Sequence, residues 1–253
     1  MDNTLLPPVW TALSIGFAAV LAGLVRGFSG FGTAMIFMPI ASTAVPPVMA
    51  LVILDVMDLF SPIPMVRRAL KKAQWRLLLP LWLAAVAVTP LGVEVLVSVD
   101  PVIVRWMIAV LILVTVAFVA SGWRYTASPT LPLTLGVGGA AGFCGGLAGM
   151  SGPPVILFWM SGQSDAAGVR ANLTIFLFLS AISTGVVLAL KGFFTLQAVL
   201  WGIAATIPYG LGIFLGSKAF PLASEETFRR IAFAIIIGAV LIGLPLLDPI
   251  LRR

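Results

Sequence analysis

The stretch Gly23-Leu-Val-Arg-Gly-Phe-Ser-Gly-Phe-Gly32 interrupts the first apolar segment, and Gly142-Phe-Cys-Gly-Gly-Leu-Ala-Gly-Met-Ser-Gly-Pro-Pro154 does the same in the second half. Glycines at this density break a helix and leave backbone N–H groups without helical partners. A new helix that begins at Thr33 or at Pro153 would direct its positive end at the gap. Such ends attract anions, so the two stretches predict broken helices around a binding site.

The composition predicts a membrane protein. Of the 253 residues, 60% are hydrophobic and 9% are charged, with a mean hydropathy of +1.14. A soluble domain carries about 25% charged residues, so a water-soluble enzyme is excluded. The net charge of +6 is better explained by cytoplasmic loops than by nucleic-acid binding. The chain has one cysteine and no histidine, so it cannot form the usual ligand set of a zinc site, a haem site with an axial histidine or a histidine-based catalytic triad. We therefore expect neither a metal nor a cofactor.

Ten apolar segments divide the chain. Their length and continuous apolar character predict membrane-spanning helices rather than barrel strands, which would alternate. The two short segments each follow one of the glycine clusters. The segments are 9–27, 33–45, 47–66, 77–97, 102–121, 133–148, 153–161, 171–190, 196–217 and 231–247.

The two halves read as homologous repeats, residues 1–124 and 125–253. The fold prediction is an all-α polytopic membrane protein with two repeats of four to five spans each and glycine-broken short helices. If the short segments cross the membrane, the repeats are inverted; if they are re-entrant, the repeats are parallel, and the distribution of basic residues slightly favours inversion. A shift of 119 residues aligns Gly27 with Gly146 and Gly30 with Gly149. A shift of 118 aligns Pro90 with Pro208, and a shift of 125 aligns Arg105 with Arg230.

Arg26 is a cation about 17 residues into an otherwise apolar segment. A buried cation in a membrane is costly unless it faces a cavity or a partner, and a guanidinium matches carboxylate and sulfonate oxygens. The alternative for Arg26 is that it only ends a helix at the membrane interface. Arg170 is the weaker candidate, because a position at that interface would also explain it. The glycines have packing as their alternative role. The predicted substrate-binding residues are Arg26, Gly27, Ser29, Gly30, Gly32, Thr33, Gly149, Met150, Ser151, Gly152 and Arg170.

Asp55 and Asp58 are spaced to share one face of a helix, with Asp55 near the middle of its segment. A carboxylate at that depth needs a partner. We predict that the two residues couple transport to a proton or sodium gradient, or form a salt bridge with Arg26 that opens during transport. The alternative is a permanent structural pair.

The chain resembles the TauE/SafE sulfite exporter family. The resemblance rests on Ala22-Gly-Leu-Val-Arg-Gly-Phe-Ser-Gly-Phe-Gly-Thr33, on Ala141-Gly-Phe-Cys-Gly-Gly-Leu-Ala-Gly-Met-Ser-Gly152, and on the order of the segments. It implies a multi-pass transporter of the bacterial inner membrane that moves small anions, chiefly sulfite and organosulfonates such as sulfoacetate. Gly145 stands where Arg26 stands in the first half, so an anion site would be asymmetric.

The leading functional hypothesis is therefore a secondary transporter that exports a small sulfur-containing anion. Backbone N–H groups around 29–33 and 150–152 would hold its oxygens, with Arg26 as counter-charge. The runner-up is a passive anion channel or an uptake carrier, and a membrane enzyme or an assembly subunit is the third hypothesis. The expected partners are the anion and the lipid bilayer, without nucleic acid; the oligomeric state, a homo-oligomer included, stays open.

Overall fold

The computed structural model describes residues 9–60, 66–67, 69–121, 130–160, 166–219 and 225–247. These residues include ten α-helices and no strand. The predicted boundary between the repeats, at 124/125, lies outside the described residues. The helices are α1 (Val9–Ser29), α2 (Thr33–Ala44), α3 (Pro47–Phe60), α4 (Trp75–Ser98), α5 (Pro101–Ala120), α6 (Leu131–Ala148), α7 (Gly152–Met160), α8 (Ala166–Leu190), α9 (Leu196–Ala219) and α10 (Glu225–Gly243), followed by a 3-10 turn (Pro245–Leu247).

Six of these helices contain stretches long and apolar enough to cross a membrane. Large side chains such as Leu91, Phe118 and Ile207 are exposed on them, which suits lipid rather than water. The all-helical, multi-pass architecture expected from composition is therefore confirmed. The six stretches are Val9–Gly27, Trp75–Ser98, Pro101–Ala120, Leu131–Ala148, Gly168–Leu190 and Leu196–Lys218.

The short helix α2 lies in the interior of the molecule. Ten of its twelve residues are buried, and it packs against α1, α3 and α10. A cap by Gly32 begins the helix, and extended backbone at Val45 ends it just before Pro46-Pro47. Because a proline disfavours helical backbone in the residue before it, the sequence stops α2 at this length. The contact of α2 with α1 places the N-terminus of α2 beside the end of α1.

Two helix pairs make the most extensive contacts, α1 with α9 and α4 with α6. Each pair joins a helix of the first half to a helix of the second half. The helix α3 lies against α9 and α8, and α4 also packs on α8. This arrangement brings α1, α2, α3 and α9 to one place, where Arg26, Asp55 and Asp58 lie.

Candidate functional site

The first glycine cluster ends a helix where the sequence predicts a break. α1 ends at Ser29, and Gly30 and Gly32 follow with φ of 78° and 93°. Left-handed backbone of this kind favours glycine, because a Cβ would crowd the following carbonyl. The N–H of Gly30 donates to the carbonyl of Arg26 at 2.8 Å, and α2 begins at Thr33. The chain therefore turns just after Arg26, which places Arg26 and Thr33 side by side.

The second glycine cluster makes a similar turn at the end of α6. Gly149 has a φ of 68°, and its N–H donates to the carbonyl of Gly145 at 2.8 Å. The N–H of Met150 donates to the carbonyl of Cys144 at 3.1 Å, and α7 begins at Gly152. The N–H of Met150, which the sequence analysis assigns to the substrate, is thus already bonded within the protein.

Four polar side chains meet between α1, α2, α3 and α9, and we call them the Arg26 cluster: Arg26, Thr33, Asp58 and Tyr209. Nη1 of Arg26 lies 3.0 Å from each carboxylate oxygen of Asp58 and 3.1 Å from Oγ1 of Thr33. The hydroxyl of Tyr209 donates to Oδ1 of Asp58 at 2.7 Å and lies 3.0 Å from Oγ1 of Thr33. Arg26 and Asp58 therefore form the ion pair that the sequence analysis considered, supported by two hydroxyl groups.

The ion pair faces a cavity instead of being sealed in the interior. The side chains of Arg26 and Asp58 are 15% and 22% exposed, whereas Thr33 and Tyr209 are buried. The cavity has a volume of about 40 Å³ and is partly open to solvent. We call it the Arg26 cavity; it is lined by Arg26, Leu51, Leu54, Asp55, Asp58, Gly149, Leu177, Phe178, Ala181 and Thr184. Residues from both halves of the chain thus surround one charged pair.

Asp55 lines the same cavity one helical turn before Asp58 but lacks a cationic partner among the described residues. It is 5% exposed, and its Oδ2 has no hydrogen-bond partner in the part of the chain that the structure describes. A Cβ on Gly185 would lie 2.5 Å from that oxygen, so the glycine in α8 makes room for the carboxyl group. The two aspartates therefore have different surroundings.

The other predicted residues of the first half differ in their relation to the cavity. Thr33 joins Arg26 in the cluster through its hydroxyl group. Gly30 and Gly32 shape the turn between α1 and α2 and do not line the Arg26 cavity in the described structure. The side chain of Ser29 lies outside the described part of the molecule.

In the second half, only part of the predicted set reaches the cavity. Gly149 lines it, while Met150, Ser151 and Gly152 are buried next to it in sequence without lining it among the described residues. Arg170 is exposed near the start of α8 and likewise does not line the cavity. The structure thus places Arg26, and not Arg170, at the cavity.

Several glycines of the two clusters serve helix packing. A Cβ on Gly27 would overlap the carbonyl of Ile213 in α9, and a Cβ on Gly146 would overlap the carbonyl of Thr89 in α4. Such small residues allow helix backbones to approach closely in a membrane. Packing, the alternative in the sequence analysis, therefore accounts for the position of Gly27, whose role in substrate binding stays a prediction. Other glycines at the same two contacts are Gly23, Gly92, Gly138, Gly142, Gly212 and Gly216.

Tyr209 is the member of the cluster that the sequence analysis missed. It is one of two tyrosines in the chain and lies between Pro208 and Gly210 in an apolar helix. A phenol hydroxyl deep in such a helix needs a hydrogen-bond partner, and this need could have marked Tyr209 as a candidate site residue. Its partner could not be read from the sequence, because Asp58 lies 151 residues away along the chain.

A bundle of long apolar helices around a charged, part-open cavity defines a polytopic membrane protein with an internal polar site. The family model described as "Sulfite exporter TauE/SafE" matches residues 15–244, nearly the whole chain. The chain therefore belongs to the TauE/SafE sulfite exporter family, a family of membrane transporters, as its sequence motifs indicated. No curated protein and no solved structure matches the chain.

Proposed function

We propose that the protein is a secondary transporter that exports sulfite or an organosulfonate such as sulfoacetate across the bacterial inner membrane. The observation that carries the proposal is the guanidinium of Arg26, which lines a part-open cavity inside an apolar helical bundle. A cation in this position provides charge for an anion that must leave water. Family membership supports the class of substrate.

The binding site proposed here is the Arg26 cavity, with Arg26 as counter-charge and hydroxyl groups as further donors. Thr33 and Tyr209 bond to the ion pair, and Thr184 lines the cavity from α8. The backbone N–H groups at 150–152 have less support, because that of Met150 is bonded to the carbonyl of Cys144. The site is then asymmetric, as expected from Gly145 at the position aligned with Arg26.

Two homologous repeats, 1–124 and 125–253, are part of the proposal. Their support is reciprocal packing: the first helix of each half lies against the fourth helix of the other, as α1 with α9 and α6 with α4. Substrate sites of secondary transporters commonly lie at the interface of such repeats. The Arg26 cavity fits this pattern because both halves line it.

Coupling to a proton or sodium gradient is proposed at Asp55 and Asp58. Both carboxyl groups line the cavity, and Oδ2 of Asp55 is buried without a partner among the described residues. Ionisable groups at this depth commonly mark ion pathways. The competing proposal is passive anion flux or uptake, which requires no such carboxyl group. Flux that is independent of both gradients and unchanged in Asp55→Asn would favour it.

The test is uptake of radiolabelled sulfite and sulfoacetate into inside-out vesicles, with and without an imposed proton or sodium gradient. We expect gradient-driven accumulation by the wild-type protein and its loss in Arg26→Ala. Arg76→Ala, which removes an exposed arginine far along the chain, is the matched control and should transport normally. Each variant is checked for folding by size-exclusion chromatography. Unchanged accumulation in folded Arg26→Ala would contradict the proposed site.

A further inference from the structure

The carboxylate of Asp58 is held as a bound oxyanion would be held. Nη1 of Arg26 contacts both of its oxygens at 3.0 Å, and the hydroxyl of Tyr209 donates to one of them at 2.7 Å. Thr33 contacts both donors from the other side, at 3.1 Å and 3.0 Å. Charge-assisted contacts of this kind are the ones that proteins use for carboxylates and similar anions.

The hydroxyl donors and the acceptor differ in their access to the cavity. Thr33 and Tyr209 are buried, and the backbone of α1 is packed against α9 through glycines close to Arg26. Asp58 is 22% exposed and lines the cavity together with Arg26. The Asp58 carboxylate therefore has open space beside it, into which it can turn away from the buried hydroxyl of Tyr209.

We propose that Asp58 is an internal competitor of the transported anion. The anion replaces the Asp58 carboxylate on Arg26 and Tyr209, and Asp58 returns to these donors when the anion leaves. This inference rests on the proposed function, since it takes Arg26 as the counter-charge of the anion. It assigns Asp58 to the release of the substrate and makes Tyr209 a donor that both ligands share.

The exchange predicts the sign of a mutational effect. A ligand that binds only when its site is free has its apparent affinity reduced by the fraction of time the site is free. Removing the competing carboxylate therefore raises the affinity for the anion. A residue that only positioned Arg26 would have the opposite effect, because its loss would leave the guanidinium misplaced.

The experiment measures equilibrium binding of radiolabelled sulfite and of sulfoacetate to the full chain, purified in detergent. We expect Asp58→Asn to bind about tenfold tighter or more than wild type. Asp55→Asn removes a carboxyl group from the same cavity without freeing Arg26, so it measures what cavity charge alone contributes, and the gain in Asp58→Asn should exceed it. Glu94→Gln, which removes an exposed carboxylate outside the cavity, is the control and should bind like wild type. Adding Tyr209→Phe to Asp58→Asn should weaken binding several-fold, because the shared donor is lost.

Each outcome decides between the two proposals. Equal or weaker binding by Asp58→Asn overturns the exchange while leaving an anion transporter in place. An equal gain in both aspartate variants also overturns it, because the effect would then come from cavity charge alone. If neither anion binds any variant, the proposed function fails and the exchange fails with it.

The wild-type protein supplies a second readout in case Asp58→Asn does not fold. Infrared difference spectra recorded on adding sulfite, which has no carboxylate of its own, should show a shifted protein carboxylate band. For sulfoacetate, a carbon-13 label separates the ligand band from the protein band. The shift should persist in Asp55→Asn. Binding without any change in a carboxylate band overturns the exchange.

Discussion

The α1–α9 contact and the α4–α6 contact use the same packing device but differ in polar content. In both, glycines let helix backbones approach so closely that an added Cβ would overlap a carbonyl of the facing helix, as at Gly23 with Tyr209 and at Gly142 with Ala85. The residue that faces Gly23 is a tyrosine whose hydroxyl reaches Asp58, whereas the residue that faces Gly142 is an alanine. Close packing alone therefore does not make a site.

The difference at Arg26 has a steric cause on the other side. Gly145 occupies the aligned position, and a Cβ there would lie 2.5 Å from Oγ of Ser151. An arginine at this position would have to displace that hydroxyl group. Arg26 beside the first contact forms an ion pair at the cavity, whereas Gly145 beside the second has no side chain.

Exchanging the two aligned residues is the most severe test. We expect the double variant Arg26→Gly, Gly145→Arg to show no transport of sulfite or sulfoacetate in vesicles, because Asp58 loses the guanidinium with which it pairs and the new side chain begins against Oγ of Ser151. Arg26→Lys, which keeps the positive charge but loses the planar guanidinium with its several N–H donors, should retain a small part of the transport activity. Restored transport in the double variant would mean that the two contacts are interchangeable.

Alanine at the close-packed glycines should lower stability similarly in both contacts. We expect Gly27→Ala and Gly146→Ala each to cost about 1–3 kcal/mol, because each methyl group must displace facing backbone. The measurement is the thermal midpoint in detergent. Gly16→Ala and Gly136→Ala, where nothing lies within 4 Å of the added Cβ, are the controls and should be unchanged or slightly stabilised. A contact that tolerates its alanine would break the comparison.

Removing the hydroxyl of Tyr209 should have a moderate effect confined to the first contact. Tyr209→Phe loses the hydrogen bond to Asp58, and we expect a loss of about 1 kcal/mol in stability with transport reduced several-fold. Thr206→Val is the matched control on the same helix, since its hydroxyl donates to the carbonyl of Gly202 within that helix. Initial rates in vesicles and thermal midpoints check both variants. Equal effects of the two substitutions would remove Tyr209 from the site.

The smallest effect is expected at the ion pair between Lys191 and Glu94. Both side chains are substantially exposed, and exposed ion pairs contribute little to stability. Lys191→Gln should leave the thermal midpoint and the transport rate unchanged within error. A marked loss of transport would show that the Arg26–Asp58 pair is not unique in its importance.

Much of this architecture could be predicted from short stretches of sequence. The apolar segments correspond to the helices, and the glycine clusters mark the ends of α1 and α6, because chain breaks are set by neighbouring residues. Arg26 and Asp58 could be found as charges in apolar surroundings, and their pairing was one of the alternatives considered. Such charges can be recognised in the sequence because a charged side chain inside a membrane must face a partner or a cavity.

Features that depend on distant contacts could not be predicted in the same way. The place of Tyr209 in the cluster depends on which face of α9 meets α1, and no periodicity fixes that face in an apolar helix. The exposure of Arg170 and the fit of Gly27 against Ile213 depend on the same packing. A glycine that contacts a backbone and a glycine that contacts a ligand look alike in sequence.

The distance of Tyr209 from its partners along the chain has a consequence for synthesis. Arg26 and Asp58 are only 32 residues apart and can neutralise each other early, while Tyr209 follows Asp58 by 151 residues. At about 5–20 residues per second, the ribosome needs roughly eight to thirty seconds to supply it. During that time α1 lacks the helix that covers its glycine face in the complete structure. The insertion of α9 is thus the event that closes the cluster and completes the first helix contact.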